Sequence, residues 1–90
     1  MACVEFSSTL KKFTGNLSIY EVKGATVGEA MKEIGERFPA IKDKLLKDDG
    51  TPRAFFIIFV DDTDIRMLDR ERTPLREDSV IRIVPAVAGG

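Results

Sequence analysis

Two hydrophobic periods alternate along this chain of 90 residues. In residues 2–6, Val4 and Phe6 fall on one side and Cys3 and Glu5 on the other. Residues 18–23 repeat the pattern, with Tyr20 and Val22 opposite Ile19 and Glu21. A period of two is that of a strand with one buried face. The segment between, Lys11 to Asn16, is polar and contains Gly15, which predicts a hairpin connection of moderate length.

The period then becomes helical. Val27, Ala30, Met31, Ile34 and Phe38 recur on one face, with Glu29, Lys32, Glu33, Glu36 and Arg37 on the rest. Thr26 followed three residues later by Glu29 has the form of a capping box and sets the helix start. Pro39 sets its end, because the residue before a proline is pushed out of helical conformation. Ile41 to Lys47 predicts a short second helical turn, and residues 48–52 read as loop.

Residues 54–60 form the most apolar run, rich in aromatic and β-branched residues, and predict a central strand. A turn at Asp61-Asp62, a short strand over Ile65 to Leu68, a turn over residues 73–78 and a last strand from Ser79 to Val84 follow. Pro85 ends that strand, since it lacks the N–H a sheet interior uses. One amphipathic helix against one mixed sheet is a two-layer α+β domain. A right-handed crossover through the helix would carry the second strand to its next neighbour.

Composition narrows the chemistry more than the fold. A formal charge of −1 gives no reason to expect nucleic acid or an anionic membrane as a partner. No run reaches the roughly 18 apolar residues of a membrane span, and the first residues lack the basic segment, apolar run and small-residue cleavage site expected of a secretory signal. The single cysteine, Cys3, cannot form an internal disulfide and fits a reducing cytoplasm. It alternates outward with no neighbouring base, so we expect an inert thiol. Histidine is absent, which removes Ser-His-Asp and Cys-His catalysis and leaves no expected metal site. The acidic cluster at residues 61–64 lacks the glycine and distal glutamate of a calcium loop and reads as a solvated turn.

The order of elements and the ending Val84-Pro85-Ala86-Val87-Ala88-Gly89-Gly90 resemble the ubiquitin-like sulfur carriers of the MoaD, ThiS and CysO type. Thr26-Val27-Gly28-Glu29, Phe38-Pro39, Val60-Asp61-Asp62, Asp64-Ile65-Arg66 and the turn from Leu75 to Val80 also have counterparts there. One departure is Arg76-Glu77-Asp78, where the family often has Asp-Gly-Asp; a turn without glycine argues against a positive φ. The resemblance implies a β-grasp domain over residues 1–85, with four to five strands on one main helix, and a flexible tail over residues 86–90.

It further implies that the chain is a carrier and not an enzyme. The Gly90 carboxylate would be adenylated by a ubiquitin-activating-like adenylyltransferase that consumes ATP. It would then become a thiocarboxylate fed by a persulfide donor, for a sulfur-accepting enzyme of molybdopterin, thiazole or cysteine type. No cofactor would be bound by the chain itself. A protein modifier attached to lysines, or a plain interaction module, shares the same pattern. Gly89 and Ala88 would keep the tail slim in a narrow channel, and Pro85 would aim it away from the sheet. Alternation in the central strand, with the register of the family, sends Phe56, Ile58 and Val60 to the core. It leaves Phe55, Ile57 and Phe59, with Val84 and Arg82 of the last strand, for a partner-binding face. Arg66, Arg70, Arg72, Arg76 and Arg82 are candidates to steer an acidic partner.

Overall fold

The computed structural model describes residues 1–48 and 56–85. Strand β1 (Cys3–Phe6) leads into a single helical turn, α1 (Ser8–Lys11), and then into β2 (Ile19–Glu21). Helix α2 (Val27–Arg37) and helix α3 (Pro39–Leu45) follow. Strands β3 (Phe56–Val60), β4 (Thr63–Asp64) and β5 (Val80–Pro85) complete a sheet of five strands.

The capping box sets the start of α2. The Thr26 hydroxyl accepts from the Glu29 amide at 3.2 Å, while the Glu29 carboxylate accepts from the Ala25 amide at 2.8 Å. The glutamate thus serves the residue before the cap, and two otherwise orphaned donors are satisfied. Val27, Ala30, Met31 and Ile34 are buried, as their spacing requires. Phe38 ends α2 and begins α3, with Pro39 in the first turn of α3, where its missing N–H costs nothing. Gly28 lets the chain at Glu71 approach the first turn of α2; an added Cβ would lie 3.1 Å from the Glu71 carbonyl oxygen.

The core lies between the helices and one face of the sheet. Val4, Phe6, Ile58, Val60, Ile81 and Ile83 project into it from the strands, and Val22 from the residue after β2. Phe38 receives the rings of Phe6 and Tyr20 edge-on, with centroids at 5.8 and 5.4 Å, the favoured aromatic geometry. Leu10, Ile41, Leu45 and Leu46 close its ends.

Three expectations change. The sheet order is β2-β1-β5-β3-β4, so the helical crossover does not carry β2 to a neighbour. It spans β1 and β5, because β5 takes the central position, parallel to β1 and antiparallel to β3, with Ile81 and Ile83 fully buried. The connection between β1 and β2 is not a simple hairpin loop, because burying Leu10 winds residues 8–11 into α1. The short strand expected over Ile65 to Leu68 is instead β4 followed by a 3₁₀ turn over Ile65–Met67. Asp61 and Asp62 both have positive φ, 50° and 71°, and form a two-residue turn that sets Thr63 directly opposite Val60. Asp64 then accepts from the Arg66 amide at 2.9 Å and turns the chain out of the sheet.

Candidate functional site: the open sheet face and the root of the tail

Strand β5 runs out at Pro85, its last residue, paired opposite Phe56. One step earlier Val84 lies opposite Ile57, and Arg82 lies between Phe59 and Glu5. By the alternation of the strands, Ile57, Phe59, Arg82 and Val84 therefore share the face that no helix among the described residues covers. Ile57, Phe59 and Val84 are half-buried there, more sheltered than a bare apolar patch would be. Phe56 packs against the core instead, as its alternation predicts. Phe55, Ala88, Gly89 and Gly90 lie outside the described residues.

Arg82 organises the polar half of this face. Its Nε donates to Glu5 at 3.0 Å and a terminal nitrogen donates to Asp62 at 2.8 Å. With half of its side chain exposed, this network contributes little stability but fixes where the guanidinium points. Of the other arginines expected to steer a partner, Arg66 is taken up by Asp64 at 2.6 Å and Arg76 by Asp61 at 3.5 Å. Arg66 holds the Asp64 carboxyl below the usual carboxylate range through side-chain and backbone hydrogen bonds. Asp61 is also held low, first by the Val80 amide and then by Ser79 and Arg76. Arg66, Arg76 and Arg82 are thus answered by local carboxylates, while no ion pair among the described residues involves Arg70 or Arg72.

Cys3 is half-buried on the same face, and its thiol is pushed up by burial and then by Glu5 and Glu21. A raised thiol is less nucleophilic at neutral pH, in keeping with the inert reading. Among the described residues no group of three or more Cys, Asp or Glu side chains is placed to hold a metal. No helix among them is long and apolar enough to cross a membrane. Of the exposed large apolar side chains, Met67 lies away from the open face, whereas Ile19, paired opposite Glu5, extends it onto the edge strand β2. Met67 sits in the 3₁₀ turn that the sequence pattern misread as strand, so its exposure had no visible signal.

The arrangement offers an apolar strip beside the root of the tail, bounded by an oriented arginine. The profile of the ThiS family matches residues 4–90. The chain belongs to the ThiS family. Sulfur carrier protein CysO of Mycobacterium tuberculosis (strain ATCC 25618 / H37Rv) is 27% identical over 89 residues, covering 97% of this chain and 96% of the relative. Among solved structures, a chain of the Amycolatopsis orientalis BexX/CysO complex superposes with a TM-score of 0.88 at 31% identity, covering 100% of both chains. Small archaeal modifier protein 1 of Methanosarcina acetivorans has a TM-score of 0.87 at 22% identity, over 99% of this chain and 95% of that one, a likeness of fold. This ThiS-family chain therefore has the β-grasp fold, in its five-stranded mixed form.

Proposed function

We propose that this chain is a cytoplasmic sulfur carrier, acted on by enzymes and not itself one, whose working group is the carboxylate of Gly90. The observation that carries the reading is the ThiS-family match along residues 4–90, which includes the Gly89-Gly90 pair. The carrier names of its relatives support it. Among the product types implied by the resemblance, the CysO relatives favour the cysteine type.

A terminal carboxylate is ionised at neutral pH and is a poor electrophile. One of its oxygens attacks the α-phosphorus of ATP, pyrophosphate leaves, and an acyl adenylate forms. The terminal sulfur of a persulfide donor then attacks the acyl carbon, the bond to AMP breaks, and an acyl disulfide forms. A second thiol attacks the donor's sulfur, is oxidised to a disulfide with it, and leaves a thiocarboxylate on Gly90. The adenylyltransferase supplies the ATP site and the persulfide protein the sulfur, so no side chain of the carrier takes part. A sulfur-accepting biosynthetic enzyme would take the product. The chain's own task is to dock and to insert a slim tail. Ile57, Phe59, Val84 and Arg82 dock; Ala88 and Gly89 fit the channel; Pro85 fixes the direction of exit.

The test is ATP–pyrophosphate exchange with the cognate activating enzyme, comparing the intact chain with one ending at Gly89. Deleting one residue draws the carboxylate back about 3.5 Å. A misplacement of about 1 Å in a positioned reaction can cost a hundredfold, so exchange should fall to background while the melting temperature stays unchanged. Undiminished exchange from the shortened chain would overturn the assignment of Gly90. Recovery of the chain joined to lysines of other proteins, with no thiocarboxylate form detected, would replace the carrier by a modifier.

A further inference from the structure

Among the described residues Arg66, Arg76 and Arg82 each lie against a carboxylate, whereas no ion pair involves Arg37, Arg70, Arg72 or a lysine, and Arg37 lies over the Phe38 ring. Lys12 and Lys44, both exposed, instead approach the same ring: their Nζ atoms lie 5.5 and 5.8 Å from the centroid of Phe13. A cation over an aromatic face at an exposed site is held only weakly, so the ring positions the two ammonium groups without neutralising them.

Topology places this pair at the end of the sheet where β5 ends. Because β1 and β5 run parallel with Phe6 opposite Ile83, the chain leaves β1 at the end of the sheet where β5 runs out. Helix α1 starts there, Leu10 anchors it in the core, and Lys12 and Phe13 follow at once. The root of the tail therefore has the strip of Ile57, Phe59 and Val84 on the open face. On the helix side it has Lys12 and Lys44.

We infer that Lys12 and Lys44 form a cationic docking pair that meets carboxylates at the rim of the partner channel that receives the tail. The inference rests on the tail-insertion reading above. Five extended residues span at most about 17 Å, so a group at the root stays at the channel mouth while Gly90 reaches the reacting centre. Charges at a rim act chiefly on the association rate and its salt dependence.

The experiment measures adenylation of the full chain by its cognate activating enzyme across a range of salt concentrations. The double variant K12E/K44E should lower kcat/KM about tenfold at low salt with kcat unchanged, within the range of electrostatic steering. The deficit should vanish near 1 M salt, where the screening length falls to about 3 Å. K32E, on the exposed side of α2, should stay within twofold. Phe13→Leu, which keeps an apolar side chain but removes the ring, should give an intermediate loss. A double variant within twofold of the parent, or K32E equally impaired, overturns the inference.

A second arm does not depend on the carrier reading. The isotope-labelled full chain is titrated with a hexaglutamate peptide, and amide shifts should concentrate at Lys12, Phe13 and Lys44. Shifts spread evenly over all seven lysines would overturn the pair as a carboxylate site. If the parent chain is not adenylated at all, the carrier reading falls while this arm still decides the pair.

Discussion

Ile57 and Ile58 are neighbours in one strand and differ in what surrounds them. Ile58 is buried with Ile81, Ile83 and the apolar side of α2, whereas Ile57 is half-buried opposite Val84 on the face that no described helix covers. The same side chain stabilises the fold on one face and is free to recognise a partner on the other. Burial on the covered face removes apolar area from water permanently, at roughly 25 cal/mol per Å². On the open face part of that area still meets water, and its removal is left to a binding event. Charge follows the same division. Arg82, Glu5 and Asp62 form their network only on the open face.

The largest effect should come from the covered face. Ile34→Ala removes a fully buried side chain from the centre of α2, and a loss of about 2–5 kcal/mol is expected from lost transfer energy and the cavity left behind. Urea unfolding checks this. A loss below about 0.5 kcal/mol, the range of surface substitutions, would remove the distinction between the two faces. Next comes Ile57→Asp on the open face. It should weaken binding to the activating enzyme at least tenfold, because the charge would enter a desolvated contact. The variant should stay folded, with circular dichroism unchanged and a stability loss of at most about 1 kcal/mol, the span of strand preferences. Unfolding of this variant with binding lost would make Ile57 a core residue and reverse the comparison.

How much of this division was legible in the sequence depended on whether a signal was local. The helix spacing of Val27, Ala30, Met31 and Ile34, with Thr26 and Glu29 at its start, identified α2 and its buried side. Alternation separated Ile58 from Ile57 and Ile83 from Val84, but for the apolar run of residues 54–60 the register of the family was needed to say which set is core. Strand order was not legible, since Cys3–Phe6 and Val80–Pro85 alternate alike and only tertiary packing puts β5 between β1 and β3. Helix α1 was missed because one buried residue, Leu10, cannot establish a period. Asp61-Asp62 was read as a turn, but not as one tight enough to shorten β4 to Thr63–Asp64. Lys12 and Lys44 come together only through Phe13, a long-range contact with no trace in spacing.

The smallest effect lies at the polar rim, where Asp61 ties the hairpin between β3 and β4 to the start of β5. Its carboxylate accepts from the Val80 amide at 3.0 Å, and its backbone amide donates to the Val80 carbonyl oxygen at 2.9 Å. The first of these bonds, followed by those from Ser79 and Arg76, holds the Asp61 carboxyl below its ordinary value. A group whose folded pKa is depressed contributes stability above its unfolded pKa of about 3.9 and loses it as pH falls through the folded value. Stability from this residue should therefore be fully present at pH 6 and decline below about pH 4. Asp61→Asn keeps a residue that tolerates the positive φ of the turn and an oxygen that can accept from Val80, but removes the charge. The variant should lose less stability than the parent between pH 5 and pH 2. The difference should be well under about 1 kcal/mol, because an exposed carboxylate is screened by water. Urea midpoints measured across that window for both proteins decide it. Parallel pH profiles would show that the turn is held by backbone geometry alone, and that the ionised carboxylate does nothing to fasten the open face at its polar end.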